Sequence, residues 1–580
     1  MSDTVLSDLD PLIAEAMEEW QVPGVALAIV RVGAPDLLKV YGQRDVEAGL
    51  PVTVDTQFVL CSITKSFTAL GLGMLVDERR LDWTKPVREY IPEFRLHDPI
   101  ATDRVTVQDL LCHHSGLPRH DWVWMAGELS RAEMFAALRY LEPSRDIRTT
   151  HQYSNLGYLV AGMVAERITG QSWEDFTRDR ILRPLGMTHF GFSTEELGSS
   201  PDSAWPYVMA DDEPGVFVRR RATLWPIRNT PAGGINAAIS DMAKYLRFYL
   251  DGGKCGDAQL VSVATLRAMQ TARVHAGRSE FEEIRDYHYG FGLGSYHYRF
   301  ERVVGHSGGW VGWGTLMVMM PERGAGVVIL TNRAPSPVTT IISMAVFDRV
   351  CGKDPVPFLD RLRTQKRTFI AQSVVDREAR RAAKKPGAGP TRPLAEYAGD
   401  YEHPGYGRMA ISVADGALHW RFRTLTGALD HRHYDVFEAR ENPGELAPDL
   451  PAVTFLYDRE GNIDRLSAPF ESMVADIVFN RIAVGEALDI AFRESCVGTY
   501  QGAIRHVVAL DADGQLTLSP VGQPTYHLSP YMDRIFKITE LDGYRVEFQR
   551  DDSGAVDTIV FHQPNGTFSA RRVQAGSENP

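Results

Sequence analysis

Apolar residues recur with a helical period over residues 8–20, and the pattern then gives way to Val25-Ala-Leu-Ala-Ile-Val-Arg-Val32. This β-rich run turns at Gly33 into a second predicted strand near Leu38–Tyr41. Further helical periods are predicted at about 62–78, 106–112, 130–141, 154–169, 172–182 and 240–251. From 289 to 332 the texture changes to glycine-punctuated strands: Tyr289-Gly-Phe-Gly-Leu-Gly294, Arg302-Val-Val-Gly-His306, Gly314-Thr-Leu-Met-Val-Met-Met320 and Gly326-Val-Val-Ile-Leu-Thr-Asn332. Strands at both ends with helices between predict an α/β (α+β) domain over residues 1–352. Its mixed or antiparallel sheet would pair the N- and C-terminal strands and be flanked by helices, with a helical region inserted.

The segment 353–393 reads as a linker, because its Arg380–Pro393 part is basic and then rich in Pro and Gly, with no apolar period. After it come short alternating strands with turn signals at Asp415-Gly416, Glu460-Gly461 and Asp513-Gly514. An internal repeat is visible: Tyr397-Ala-Gly-Asp-Tyr401 and the turn at Asp415 recur about 99 residues later as Cys496-Val-Gly-Thr-Tyr500 and the turn at Asp513. Two small antiparallel β-barrels, 394–485 and 486–580, account for it.

Composition narrows the function. At 580 residues the chain exceeds a single ordinary core, and 44% hydrophobic with 24% charged residues is the balance of a soluble globular protein. A net charge of -13 provides no basic patch for nucleic acid or an anionic membrane. No stretch approaches the roughly 18 apolar residues of a membrane span. The N-terminus shows no basic, then apolar, secretory signal, so a cytoplasmic location is expected. Five scattered cysteines, with no CxxC pair, fit a reducing compartment and neither a zinc ribbon nor a disulfide framework.

A serine hydroxyl needs a base in hydrogen-bonding reach and donors for the oxyanion before it can act as a nucleophile. Ser62-Ile-Thr-Lys65 opens an unusually apolar helix, where positions i and i+3 share a face and place the lysine nitrogen beside Oγ. Surface helices produce this spacing readily, but it occurs once here, where an exposed lysine face would be out of place. Tyr153-Ser-Asn155 is the single Tyr-x-Asn in the chain. A phenol beside a lysine can have its pKa lowered and relay a proton, while Asn155 can donate to a substrate carbonyl or accept from Lys65. Gly305-His306-Ser307-Gly308-Gly309 comes later, in a strand-like context, where small residues let a substrate backbone approach the sheet edge.

With these three elements in this order, the chain resembles the serine β-lactamase and penicillin-recognising superfamily, in its class C β-lactamase and D-aminopeptidase branch. The resemblance covers roughly residues 8–350 and includes Leu110–Leu117 and Pro231–Asp241 as further landmarks. It implies Ser62 as nucleophile, Lys65 and Tyr153 as the acid/base pair, Asn155 as their orienter and His306 at the third-motif position. The amides of Ser62 and Gly309 would form the oxyanion hole, and Ser307 and Gly308 would bind substrate. Where this chain has His306, β-lactamases generally have lysine, which attracts a substrate carboxylate. A histidine there, with two trailing lipocalin-like barrels, is similar to the D-aminopeptidases, in which a barrel can send a loop to the active-site mouth.

The expected activity is hydrolysis of amide or peptide bonds in small molecules or short peptides with D-residues. A carboxylesterase or weak β-lactamase of the same fold is the alternative, and a penicillin-binding scaffold without turnover is the non-enzymatic one. Gly305–Gly309 also fits the Gly-x-Ser-x-Gly elbow of α/β-hydrolases, but residues 310–320 show no helical period. Lys254-Cys-Gly256 reads as a turn, and His114-Ser-Gly116 precedes the tyrosine motif. Histidine spacings such as HExxH are missing, so no metal or cofactor is expected. A homo-oligomer is left open.

Overall fold

The computed structural model describes residues 9–573, apart from 126, 128, 214–215, 223–226, 386, 441–451, 460, 483–484 and 542. Two compact units are present. The first runs up to Lys384 and also takes in Phe470–Ala475; the second holds the remaining described residues from Lys385 onward.

Among the described residues of the first unit, nine strands form one antiparallel sheet. In chain order they are β1 (Gly24–Arg31), β2 (Leu37–Asp45), β3 (Leu50–Pro51), β4 (Val274–Gly277), β5 (Ile284–Tyr289), β6 (Gly294–Tyr298), β7 (Glu301–Trp310), β8 (Trp313–Met320) and β9 (Ala325–Thr331). Their order across the sheet is β4-β5-β6-β7-β8-β9-β1-β2-β3. The first strand of the chain thus lies beside the last, with Val25 opposite Thr331 and Ile29 opposite Val327. β1 is apolar at almost every position because both of its faces are covered. Val25, Leu27 and Ile29 join a core with Leu9 and Ile13 of α1 (Leu9–Glu19) and with Ile341 and Phe347 near the end of the unit. The alternate residues, Ala26, Ala28 and Val30, point to the opposite face.

The inserted helical region is built around α2 (Thr64–Asp77), buried continuously from Thr64 to Leu75. From Phe67 to Val76 its side chains are apolar on nearly every side, the pattern of a core helix. Against it pack α3 (Asn155–Thr169) and the short turn of helix Thr230–Gly233. Two predicted helices change character toward their C-termini: 131–137 tightens into a 3₁₀ turn at Leu138–Tyr140, and Trp173–Thr177 widens into a π turn at Arg178–Leu182.

Part of the segment read as linker is a helix of 25 residues, Phe358–Ala382. Ion pairs hold much of its first half. Arg363 pairs with Glu15 at 2.6 Å and Glu19 at 2.8 Å, and Lys366 with Glu19 at 2.9 Å. Phe358 and Leu359 enter the core, and Leu362 packs against it.

The second unit contains two closed antiparallel barrels of eight described strands each, one from Gly399 to Ile482 and one from Gly498 to Arg572. The sequence repeat has a physical basis. Tyr401 donates its hydroxyl to the Tyr397 carbonyl at 2.9 Å, and Tyr500 donates to the Cys496 carbonyl at 2.8 Å. In each barrel an arginine of the last strand, Arg481 or Arg572, lies over that tyrosine ring and donates to the carbonyl of Ala398 or Val497. The turn at Asp415-Gly416 has positive φ at both residues (50° and 73°), the geometry of a tight hairpin.

Candidate active site

Ser62 stands where the chain leaves the strand Gln57–Val59 and enters α2. Cys61 adopts a left-handed backbone, φ +50°, which is uncommon for a residue bearing Cβ. Residues Cys61–Ile63 form a 3₁₀ turn that swings the serine out before the α-helix begins. One turn on, Lys65 Nζ lies 3.1 Å from Ser62 Oγ. It donates to Asn155 Oδ1 at 2.7 Å and to the Ala232 carbonyl at 2.8 Å. Lys65 is completely buried. Burial first, and then the Arg119 guanidinium, hold its pKa well below the usual lysine range.

Tyr153, just ahead of α3, donates its hydroxyl to Ser62 Oγ at 2.9 Å. Burial pushes its phenol above the ordinary tyrosine range and outweighs the lowering by the Ser62 hydrogen bond and by Arg119. The direction is opposite to the one expected from sequence. A lysine that is itself desolvated offers little charge with which to stabilise a phenolate. Asn155 is the first residue of α3, and Asn229 Nδ2 donates to its backbone carbonyl at 2.9 Å. Behind Tyr153, the His113 Nδ1 accepts from the Ser154 amide at 3.1 Å, and its ring lies 4.2 Å from the tyrosine ring. Burial keeps that imidazole neutral.

Ser62 opens onto a pocket whose walls include Arg119, Trp124, Asn155, Ile227, Gly309 and Trp310. The Trp124 and Trp310 rings face each other at 5.1 Å. Strand β7 closes the far wall by passing directly over the serine turn at Gly308. A Cβ at that position would sit 2.3 Å from the Leu60 carbonyl oxygen and 2.9 Å from Cys61 Cβ. Gly308 is therefore a point of backbone approach. The next residue, Gly309, lines the pocket, and Ser307 is exposed.

His306 is not turned to the pocket. Its Nδ1 lies against the Ser307 carbonyl at 2.5 Å, which can only accept, so Nδ1 carries the hydrogen. Nε2 then accepts from the Tyr289 hydroxyl at 2.7 Å. Both ring nitrogens are engaged, and burial, reinforced by Lys65, depresses the imidazole to about 3. In this arrangement both ring nitrogens of His306 are taken up by Tyr289 and the Ser307 carbonyl, and its ring lies 6.3 Å from that of Tyr153. The rival elbow reading fails, because Gly305–Gly309 lies inside β7 and leads into β8 with no helix after it. Lys254-Cys255 forms half of a small two-stranded hairpin, as its turn signature implies.

Several lining residues carry no signal in the sequence. Arg119 stacks its guanidinium over the Tyr153 ring at 5.0 Å and donates to Asp121 at 2.5 Å. Asp121 in turn accepts from Asn155 Nδ2 at 3.0 Å and from Trp124 Nε1 at 2.7 Å. The segment is pinned within the first unit: the His120 amide donates to Glu471 at 2.8 Å, and Phe470 stacks on Trp122 at 4.6 Å. Arg119 comes two residues after the landmark Leu110–Leu117, but no spacing marks it. Among the described residues, no group of three or more His, Cys, Asp or Glu side chains is placed to hold a metal ion, and no helix is long and apolar enough to cross a membrane.

The sheet with its inserted helices, and a serine at the head of a buried helix with a lysine one turn behind, define a β-lactamase-like fold. The beta-lactamase family matches residues 9–347, and the chain belongs to that family. A domain of unknown function, DUF3471, matches residues 383–481, over the first barrel. The chain is 29% identical over 431 residues to the unguisins hydrolase ungD' of Aspergillus campestris, covering 70% of this chain and 78% of that protein. It is 24% identical over 332 residues to protein flp of Staphylococcus aureus, 56% of this chain and 62% of that one. The octameric penicillin-binding protein homologue of Pyrococcus abyssi superposes with a TM-score of 0.54 at 26% identity, covering 82% of this chain and all of that one.

Proposed function

We propose that this chain is a serine hydrolase that cleaves amide or peptide bonds in small substrates through an acyl-enzyme on Ser62. The observation that carries the reading is the position of Ser62 Oγ, within hydrogen-bonding reach of both Lys65 Nζ and Tyr153 Oη at the floor of an open pocket. Membership of the beta-lactamase family and similarity to a hydrolase over 78% of that protein's length support it. A preference for D-residues rests on the sequence resemblance to D-aminopeptidases.

The proton inventory favours Lys65 as base. A neutral amine has two hydrogens and one lone pair, and two carbonyl-type oxygens, Asn155 Oδ1 and Ala232 O, take the hydrogens. The lone pair is then free to face Ser62. As Oγ attacks the substrate carbonyl, its proton passes to Lys65 Nζ, and the Tyr153 phenol gives its own proton to the leaving amine. The resulting phenolate is balanced by the new ammonium, which lies 5.0 Å from the Tyr153 ring centroid, and by Arg119. Water then attacks the ester, losing a proton to the phenolate, while Lys65 returns its proton to Ser62 Oγ. The amides of Ser62 and Gly309 are proposed to hold the oxyanion, and Ser307 and Gly308 to flank the substrate backbone.

Rates on a D-alanine p-nitroanilide, its L-enantiomer, a p-nitrophenyl ester and nitrocefin test the substrate class. Faster turnover of the D-anilide than of its enantiomer is expected. Activity on the ester alone would sink the amidase reading.

A further inference from the structure

Asn155 holds the amine of Lys65, and what holds Asn155 decides how that amine is oriented. An asparagine side chain can present either its oxygen or its NH2 group in a given direction. Here Asn155 Nδ2 lies 3.0 Å from Asp121 Oδ1. An ionised carboxylate has no hydrogen to give, so the group facing it must be NH2, and Oδ1 must turn to Lys65. Lys65 can then only donate to Asn155. The carbonyl of Ala232 takes its second hydrogen, 2.8 Å away, which leaves the lone pair directed at Ser62 Oγ, 3.1 Å away. Asp121 is itself fixed, since its Oδ1 also accepts from Trp124 Nε1 at 2.7 Å and its Oδ2 from Arg119 Nε at 2.5 Å.

We infer that Asp121 is a positioning residue which, through the amide of Asn155, aims the Lys65 lone pair at Ser62, and that Arg119 is its counter-charge. The inference rests on the reading of Ser62 as nucleophile and Lys65 as base. An unbalanced carboxylate so near the amine would favour the ammonium, which cannot accept a proton; the guanidinium opposes that pull. The groups facing Lys65 are Cys61 on the serine turn, the phenols of Tyr153 and Tyr158, and the imidazoles of His113 and His306. All of these are neutral near pH 7, so Arg119 and Asp121 set the local charge. The anchoring of His120 to Glu471 and of Trp122 to Phe470 keeps the pair from drifting.

The test is the rate at which a fluorophosphonate probe labels the full chain between pH 5 and 10, for the native protein and for Asp121→Ala, Asp121→Asn, Asp121→Glu and Arg119→Gln. Melting curves identify which variants are folded. Asp121→Ala is expected to lower the maximal labelling rate about 100-fold, with partial recovery in Asp121→Glu. Arg119→Gln is expected to move the ascending limb of the profile up by about 0.5–1 pH unit, and Asp121→Asn to move it down. A purely structural role would not shift the two limbs in opposite directions. If Asp121→Ala does not fold, those opposed shifts decide the matter. Native rates and limbs in the Asp121 variants, or shifts of the same sign for the two charges, would overturn the inference. Ser62→Ala runs alongside: if it still labels, the nucleophile assignment fails and the inference goes with it. If it is silent while the Asp121 and Arg119 variants behave like the native protein, the inference alone fails.

Discussion

Replacing Gly308 by alanine probes the contact on which the pocket depends. The new Cβ would lie 2.3 Å from the Leu60 carbonyl oxygen and 2.2 Å from Thr315 Oγ1, whereas real Cβ contacts essentially stop at 3.0 Å. Thr315 cannot simply turn aside, because its hydroxyl donates to the same Leu60 carbonyl at 2.8 Å. The backbone of β7 and the serine turn must therefore part by at least about 0.7 Å, an overpacking strain of about 1–3 kcal/mol. A displacement approaching 1 Å between a nucleophile and the strand opposite it costs on the order of 100-fold in rate. Gly309→Ala is the control, since nothing lies within 4 Å of a Cβ there, and its stability should stay within about 0.5 kcal/mol of the native protein. Chemical denaturation gives the first quantity and the probe-labelling rate of Ser62 the second. If Gly308→Ala unfolds and labels like the native protein, the strand does not abut the nucleophile turn and the account of the pocket wall is wrong.

Lys65→Ala and Tyr153→Phe should each lower the acylation rate by about 10²–10⁴-fold in stopped-flow labelling, and near-native rates in either would remove that residue from the mechanism. Because Lys65 must be neutral to act and its pKa is depressed, labelling should rise with pH through a limb well below the ordinary lysine value of 10.5. A limb at that value would contradict the desolvated-amine picture. His306, neutral and depressed to about 3 against 6.5 when unfolded, makes the unfolded chain bind more protons between those values. Stability should therefore fall as pH drops from about 6.5 towards 3, and urea midpoints at pH 7.5 and 5 should differ less in His306→Gln than in the native protein.

The sequence made some parts of this architecture legible because they are local. Ser62 and Lys65 are one helical turn apart, and a helix as apolar on every side as the Phe67–Val76 part of α2 reads as a core helix. β1 and β9 announce themselves by near-continuous apolar runs, Val25–Val30 and Val327–Leu330, the mark of strands covered on both faces. The paired barrels showed through Tyr401 and Tyr500, whose hydroxyls reach four residues back in the same way. What stayed hidden was non-local. The helix Phe358–Ala382 owes its place to ion pairs with Glu15 and Glu19, more than 340 residues away. Arg119 and Asp121 reach the site through the fold of the loop after Gly116, and no spacing to Ser62 or Tyr153 records it. His306 was legible as a strand residue but not as one facing inward, because the direction of a side chain in a glycine-rich strand depends on register. That register here puts Gly308 against Leu60 and His306 against Tyr289.

The central claim, a covalent intermediate on Ser62, is tested most directly by intact-mass and peptide-level mass spectrometry of the protein quenched during turnover of a slow amide or ester. A single adduct with the mass of the acyl group is predicted on the peptide containing Ser62, present in Ser307→Ala and lost in Ser62→Ala. An adduct on Ser307, or full turnover by Ser62→Ala, would contradict it.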